Sequence, residues 1–267
     1  MSGFPALARR VAAAAAGLAL LAATLLPDLP LLNASVLAAI AFLGGMEASR
    51  LFRGSAFEGL ATGVAAAAAT MMIALRPELT FVIVLLPIWV RAAVLLPTRG
   101  PDRAASMILG AGGLSSAYSL GLGLLAVHRI QGSVWLLLIP LLACWTGDSA
   151  AYFVGCWKGS HRLSPRVSPN KSWEGFAAGL AGSALGAWIA GGLLAGLPHL
   201  ETLAVGLAVG LLAVLGDLME SALKRDAGVK DSGGLLPGHG GILDRFDSLV
   251  AVAPATLAWL LLRGYLG

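Results

Sequence analysis

Four side chains that could do acid–base or ion-binding chemistry follow one another at helical spacing within an apolar stretch. Asp217, Glu220, Ser221 and Lys224 stand at positions i, i+3, i+4 and i+7, which share one face of an α-helix. An ionised carboxylate in hydrocarbon costs at least ~2.5 kcal/mol on insertion scales, so a lipid-facing helix has no use for such a stripe. The spacing therefore predicts a helix that lines an aqueous cleft containing ions.

The polar segment that follows, residues 224–247, mixes basic residues, glycines and acids. Lysine and arginine suit phosphate oxygens, and glycines let backbone N–H groups approach a phosphate closely. Asp244 and Asp247 stand at i and i+3 where the last apolar stretch begins, and carboxylate oxygens suit a Mg²⁺ ion that bridges protein acids and phosphates. The composition predicts a site for a metal and a polyphosphate; the alternative is a solvated loop with ordinary helix caps. The candidate phosphate-binding residues are Lys224, Arg225, Lys230 and Arg245, with Ser221, His239, Gly240 and Gly241 as lesser candidates and Asp231 as a further ligand or a partner for a lysine.

Two more polar features lie upstream. Asp148 falls inside another apolar stretch, where an acid indicates either a functional group or a buried polar contact. The segment 156–174 carries several basic residues, among them Lys171. These bases suit phosphates or anionic lipid headgroups, or they serve only to fix the membrane topology. Asp148 and Lys171 join the candidate substrate-binding residues.

The run Ser221-x-Leu-Lys-Arg-x4-Lys230-Asp231-x-Gly-x2-Leu-Pro-x-His239-Gly-Gly-Ile-x-Asp244-Arg245 resembles the signature of the phosphatidate cytidylyltransferase family, also called CDP-diacylglycerol synthases. The runs Gly216-Asp217-Leu-x-Glu220-Ser221 and Ser164-Pro-x-x-Ser168-Pro-x-Lys171-Ser-Trp-Glu174-Gly175 are similar to that family too. The resemblance spans about residues 148–248. One departure is that the family has an arginine after Gly155 and a Gly-Lys pair further on. This chain has Cys156 and Gly159-Ser160 there, so Lys158 or Arg162 would have to replace those bases.

The resemblance implies the reaction of CTP with phosphatidic acid to give CDP-diacylglycerol and pyrophosphate, in phospholipid biosynthesis. It implies catalytic roles for Asp217, Lys224, Lys230, Asp231 and Asp244. Asp217, Asp244 and Asp247 would hold Mg²⁺, and a second, monovalent cation is left open. The lipid phosphate is already anionic, so the reaction needs charge neutralisation and in-line positioning rather than a strong base. The expected partners are CTP, phosphatidic acid and membrane lipids, with no nucleic acid.

Two other classes of function remain open from the residues alone. Acids inside apolar stretches interrupted by glycine also suit an ion- or proton-coupled transporter, although the two halves of the chain show no duplicated pair of such segments. Related lipid enzymes are the other class. A CTP-dependent polyprenol kinase stays possible, whereas a CDP-alcohol phosphotransferase would need an Asp-Gly-x-x-Ala-Arg motif that the sequence lacks.

The elements that must position these residues are membrane-spanning helices. Of 267 residues, 58% are hydrophobic and 12% are charged, against about 25% charged in soluble domains, and the mean hydropathy is +0.84. A span needs roughly 20 apolar residues. The sequence predicts an all-α integral membrane protein, a bundle of about nine transmembrane helices. They are Val11–Leu26, Leu31–Met46, Phe57–Leu75, Leu79–Leu96, Ala105–Val127, Val134–Gly155, Gly175–Gly196, Leu203–Leu223 and Ser248–Leu262.

The basic residues predict how these spans are oriented. With a cytoplasmic N-terminus, 14 of the 18 lysine and arginine residues fall on the cytoplasmic side, as the positive-inside rule expects. The loops 156–174 and 224–247 then face the cytoplasm. We expect residues 1–130 to be scaffold helices and residues 131–267 to be the catalytic region. The expected location is a bacterial-type inner (cytoplasmic) membrane with a cytoplasmic active site, and the small residues in the spans leave a homodimer open.

Overall fold

Helices dominate the structure, as the apolar composition predicts. The computed structural model describes residues 29–97, 107–131, 134–233, 240–245 and 248–265, so the first predicted span, Val11–Leu26, lies outside the described residues. The α-helices are α1 (Pro30–Leu51), α2 (Ala56–Leu75), α3 (Thr80–Ile83), α4 (Leu86–Leu95), α5 (Gly113–Gln131), α6 (Val134–Lys158), α7 (Trp173–Ala187), α8 (His199–Asp226) and α9 (Leu249–Leu262). Residues Ile108–Gly112 and Trp188–Leu194 form π-helical turns, and Pro77–Leu79 and Leu243–Arg245 form 3₁₀ turns.

Within the described residues, four helices are long and apolar enough to cross a membrane. They are α1, α2, α8 and the continuous helix Trp173–Leu194 that α7 forms with its π-helical turn. The protein therefore has the architecture of an all-α membrane protein. The fourth predicted span, Leu79–Leu96, corresponds to a shorter apolar helical segment, Thr80–Leu95, which a turn at Val84 and Leu85 divides into α3 and α4. Pro87 lies in the first turn of α4 and has no N–H to donate to the carbonyl of Ile83, so the α3 hydrogen-bond ladder cannot continue through it.

The segment expected to be a loop over residues 156–174 has regular structure. Helix α6 continues to Lys158, and strands β1 (Arg162–Ser164) and β2 (Ser168–Ser172) then form a small antiparallel hairpin. Arg162 pairs with Ser172 and Ser164 with Ser168, and Pro165 lies in the turn between the strands. The second predicted loop also starts later than expected, because α8 runs to Asp226 and includes Lys224 and Arg225.

The chain forms two compact units, and the first contains residues 1–130 and 229–246. Helices α1 and α2 pack closely where glycines face each other: a Cβ on Gly45 would lie 2.9 Å from the Cα of Gly63. Arg91 of α4 is buried and donates to Ser49 Oγ of α1 at 2.6 Å and to Thr62 Oγ1 of α2 at 2.9 Å. A charge inside an apolar bundle persists only with such partners, so this arginine ties three helices together.

The second unit contains residues 131–228 and 247–267. Helix α7 packs along α6 and against α8, and α9 packs against α8. Their common core is made of small and branched apolar residues: Ile139, Ala143, Cys144, Ala187, Ala190, Val209, Ala213 and Val252. A Cβ on Gly206 of α8 would lie 2.6 Å from the Cα of Ala184, so the glycine allows α7 and α8 to approach closely. The scaffold and catalytic roles assigned to residues 1–130 and 131–267 stay predictions.

Candidate active site

The acid–base stripe of α8 forms in the second unit as its helical spacing predicts. Ser221 Oγ donates to Asp217 Oδ1 at 3.2 Å, and Lys224 Nζ donates to Glu220 Oε1 at 3.3 Å. The two pairs differ in exposure: Glu220 and Lys224 are buried, whereas the Asp217 side chain is 32% exposed. Lys224, which the spacing placed on this helical face, lies in the last turn of α8 beside an acid. Asp217 and Ser221 are therefore the members of the stripe that are partly exposed.

A second element supplies a base to Asp217. Lys171 of β2 places its Nζ 2.5 Å from Asp217 Oδ2, with 25% of its own side chain exposed. Asp148 of α6 lies close enough to interact electrostatically with both Asp217 and Lys171. We call these residues, Asp148, Lys171, Asp217 and Ser221, the α8 cluster. Four candidates from three separate parts of the sequence thus come together in one partly exposed group of acids, a base and a hydroxyl.

The hairpin holds Lys171 in place through contacts at both of its ends. Ser172, the residue after Lys171, caps α7 by accepting a hydrogen bond from Gly175 N at 3.1 Å. Glu174, in the first turn of α7, accepts from the backbone N–H groups of Ser160 and His161, each at 3.3 Å. Glu174 Oε1 also accepts from Ser160 Oγ at 2.8 Å and lies 2.7 Å from His161 Nδ1. Ser160, which stands where the family has the lysine of its Gly-Lys pair, thus helps to hold the hairpin to α7.

The first unit contains another polar group, in the part of the family signature that belongs to it, residues 229–245. We call these residues the signature segment. Asp244 Oδ2 accepts three hydrogen bonds, from Ser232 N (2.9 Å), Ser232 Oγ (2.9 Å) and Gly241 N (2.8 Å). Gly240 has a φ of 80°, and a Cβ there would lie 2.6 Å from Asp244 Oδ2, so only glycine fits this turn. We call Ser232, Gly240, Gly241 and Asp244 the glycine-turn cluster. Gly241 therefore bonds a carboxylate through its N–H, although the sequence suggested a phosphate as its partner.

Two residues that the sequence analysis did not select also hold this segment. Glu47 of α1 is buried, and its Oε2 accepts from Leu243 N at 3.0 Å and from Ser232 Oγ at 3.2 Å. Tyr118 of α5 is buried and donates from its hydroxyl to the carbonyl oxygen of Ile242 at 3.0 Å. A signal for Glu47 was present, because an acid beside an apolar run carries the same cost that singled out Asp148. Tyr118 gave no such signal.

The other predicted site residues lie at the surface or beyond the described chain. Arg225, Lys230 and Asp231 are exposed. His239 and Asp247 lie outside the described residues, as does the side chain of Arg245, whose backbone is in the 3₁₀ turn. In the described part of the chain, no three or more His, Cys, Asp or Glu side chains group in a way that could hold a metal ion. Metal binding by Asp217, Asp244 and Asp247 therefore stays a prediction.

A membrane bundle with partly exposed acids and bases suits a class of enzyme that handles a charged, polar substrate at the membrane. The sequence profile of the cytidylyltransferase family matches residues 8–263, and the chain belongs to this family. The family argues against the transporter that the residues alone left open.

Individual relatives match the chain over about half of its length. A phosphatidate cytidylyltransferase of Bacillus subtilis is 52% identical over 112 residues, which are 41% of this chain and 41% of the relative. The phosphatidate cytidylyltransferase of Haemophilus influenzae is 44% identical over 132 residues, 48% of this chain and 46% of the relative. The uncharacterized protein YnbB of Escherichia coli is 44% identical over 131 residues, 49% of this chain and 44% of the relative. The matched region thus spans less than half of the length of each of these relatives.

Proposed function

We propose that the protein transfers CMP from CTP to phosphatidic acid, which yields CDP-diacylglycerol and pyrophosphate. A phosphate oxygen of the lipid forms a bond to the α-phosphorus of CTP, and the bond from that phosphorus to the bridging oxygen of the β-phosphate breaks. The α8 cluster carries the proposal, since it presents a partly exposed Lys171–Asp217 ion pair within the region that the family profile matches. Relatives that bear the name phosphatidate cytidylyltransferase support the choice of substrates.

The side chains suit the charge changes of this reaction. Lys171 can turn from Asp217 to a phosphate oxygen, and Asp217 then becomes available to a cation that accompanies the triphosphate. Asp217 fits Mg²⁺ in donor type and in exposure. Asp244 and Asp247 remain the other proposed ligands. When bound, Mg²⁺ neutralises charge on the triphosphate, while Lys171, Lys230 and Arg225 would hold and orient phosphate groups.

The proposal includes an orientation in the membrane. We infer nine spans, a cytoplasmic N-terminus and cytoplasmic placement of both polar segments, in a bacterial inner membrane where CTP is available. The excess of basic residues in those segments supports this orientation. The many small residues in the spans also suit close packing between two copies in a homodimer.

The purified protein, reconstituted in vesicles that contain phosphatidic acid, tests the function directly. We expect pyrophosphate and CDP-diacylglycerol to form in equal amounts from CTP, with no turnover when phosphatidic acid is replaced by diacylglycerol or a polyprenol. Chelation of divalent cations should stop turnover, and added Mg²⁺ should restore it. Release of CDP together with a phosphorylated polyprenol would instead identify a lipid kinase, and inactivity with phosphatidic acid would contradict the proposal.

A further inference from the structure

The signature segment of the first unit is held by a residue that lies far from it in the sequence. Glu47 stands near the end of α1, 196 positions before Leu243 and 185 before Ser232, yet its Oε2 bonds both. Only 4% of Glu47 is exposed. A buried carboxylate in an apolar helix is costly unless donors surround it, and here the donors come from the segment that carries Asp231 and Asp244.

The contacts of Glu47 and Asp244 meet at the same hydroxyl. Ser232 Oγ lies 2.9 Å from Asp244 Oδ2 and 3.2 Å from Glu47 Oε2, and a hydroxyl has one proton to donate. When the hydroxyl donates to Asp244, the Leu243 N–H remains as a donor to Glu47. Leu243 is the neighbour of Asp244 in the 3₁₀ turn. Any change at Glu47 reaches the Asp244 carboxylate through both Ser232 and the turn.

The glycines of the signature make room for Glu47. A Cβ on Gly241 would collide with the Glu47 carboxylate and Ser232 Oγ, and a Cβ on Gly233 would collide with the same carboxylate. On the other side of the turn, the Tyr118 hydroxyl bonds the Ile242 carbonyl. Gly44, one turn before Glu47 on α1, leaves space for the Tyr118 ring, since a Cβ there would lie 2.8 Å from Cε1. Two helices of the N-terminal half thus shape the turn.

We propose that Glu47 is a positioning residue for the reaction, which fixes the turn at residues 241–244 and thereby orients the Asp244 carboxylate. This inference rests on the proposed function, in which Asp244 takes part in catalysis. It assigns the N-terminal half a direct part in shaping the site, beyond that of a scaffold. Glu47 acts through hydrogen bonds, so a neutral acceptor of the same shape can replace it, whereas a side chain without an acceptor cannot.

Steady-state kinetics of Glu47→Gln and Glu47→Ala test the inference in vesicles with CTP varied at saturating phosphatidic acid. The glutamine carbonyl can accept from Leu243 N, so we expect kcat/KM within about 3-fold of wild type, whereas alanine should lower it by about 10- to 100-fold. Glu58 provides the matched control, because it is an equally buried helical acid of the first unit that bonds Ser55 and Arg91 instead. Glu58→Ala should lower the thermal stability without the selective loss of kcat/KM.

Hydrogen exchange of the peptide that covers residues 240–245 supplies a readout that does not depend on activity. We expect faster exchange there in Glu47→Ala and wild-type exchange in Glu47→Gln and Glu58→Ala. Wild-type kinetics in Glu47→Ala, or a Glu47→Gln variant as slow as Glu47→Ala, would overturn the inference. If wild-type protein lacks cytidylyltransferase activity, the proposed function fails. Unchanged hydrogen exchange in Glu47→Ala would separately refute the claim that Glu47 fixes the turn at residues 241–244.

Tyr118→Phe covers the case in which Glu47→Ala does not fold, since it removes one hydroxyl only. The lost bond to the Ile242 carbonyl should lower kcat/KM about 3- to 10-fold and speed exchange in the same peptide. Wild-type values for both measurements would overturn the proposal that helices of the N-terminal half orient this turn.

Discussion

The Lys171–Asp217 ion pair joins two side chains that have opposite charges and similar exposure, 25% and 32%. A phosphate with a bound cation carries the same two charges. In the proposed reaction, each residue would exchange its partner for one of the same sign when such a ligand enters, so neither charge would be left unpaired. The cost of opening a partly exposed pair is small, about 0–1 kcal/mol, and the resting ion pair therefore keeps the site ordered without blocking it.

Replacement of Asp217 tests this exchange. We expect Asp217→Asn to lower kcat/KM for CTP by roughly 100-fold, because the amide is a poor ligand for a hard cation and leaves Lys171 without its acidic partner. Asp226→Asn, an exposed acid at the end of the same helix, is the control and should retain wild-type kinetics. Equal activity in both variants would remove Asp217 from the site.

Lys230 separates phosphate binding from topology. A topology signal is shared among many cytoplasmic bases, so the loss of one should matter little. A charge-assisted bond to phosphate is worth ~1.5–3 kcal/mol, so Lys230→Gln should lower kcat/KM for CTP about 10- to 150-fold. Arg50→Gln, which removes an exposed base near the end of α1, serves as the control. If both variants match wild type in steady-state kinetics, Lys230 does not bind phosphate.

At the scale of elements, the β-hairpin carries Lys171 to the α8 cluster. One carboxylate, that of Glu174, closes the base of the hairpin through two backbone N–H groups and the side chains of Ser160 and His161. Three-residue and five-residue strands are too short to be stable alone. The position of Lys171 thus depends on Glu174, which makes no contact with Lys171 in these hydrogen bonds.

Opening the hairpin should therefore impair substrate binding. We expect Glu174→Ala to raise the KM for CTP about 10-fold, with faster tryptic cleavage after Arg162 or Arg166, because Lys171 loses its fixed position. Glu201→Ala is the control, since it removes an acid that pairs with Arg263 elsewhere in the same unit. Unchanged KM and unchanged cleavage in Glu174→Ala would show that the hairpin does not depend on this carboxylate.

The sequence predicted those elements whose geometry is local. The face shared by Asp217 and Ser221 follows from helix arithmetic, and the structure confirms it. The hairpin could not be anticipated in the same way, because two Ser-Pro dipeptides indicate turns but not the pairing of the strands beside them. The break in Leu79–Leu96 was foreseeable from Pro87, although hydropathy alone suggested a continuous span.

At the scale of the whole molecule, nonlocal contacts limited what could be foreseen. Glu47 and Ser232 are 185 residues apart, and no periodicity connects them. The two compact units also divide the signature after Gly228, so that Ser221 and Lys224 belong to one unit and Lys230 to the other. A linear motif does not predict such a division, because residues that are adjacent in the sequence can belong to different compact units.

Cysteine accessibility tests the predicted orientation of the whole chain. In a variant without Cys144 and Cys156, single cysteines at the exposed positions Asn170 and Asp226 should resist an impermeant thiol reagent in intact cells. Both should react in inverted vesicles, because the basic residues beside them favour the cytoplasmic side. Labelling from outside the cell at either position would contradict both the nine-span count and the proposed access of CTP.

The distance along the chain between Glu47 and its partners has a consequence for biosynthesis. A ribosome adds about 5–20 residues per second, so Glu47 is made on the order of ten seconds or more before Ser232 and Leu243 emerge. During that interval α1 holds an acid whose final donors do not yet exist, and the first unit cannot be completed until residue 246 has been translated. Chains truncated before residue 232 should therefore leave the Glu47 carboxylate of α1 without these donors.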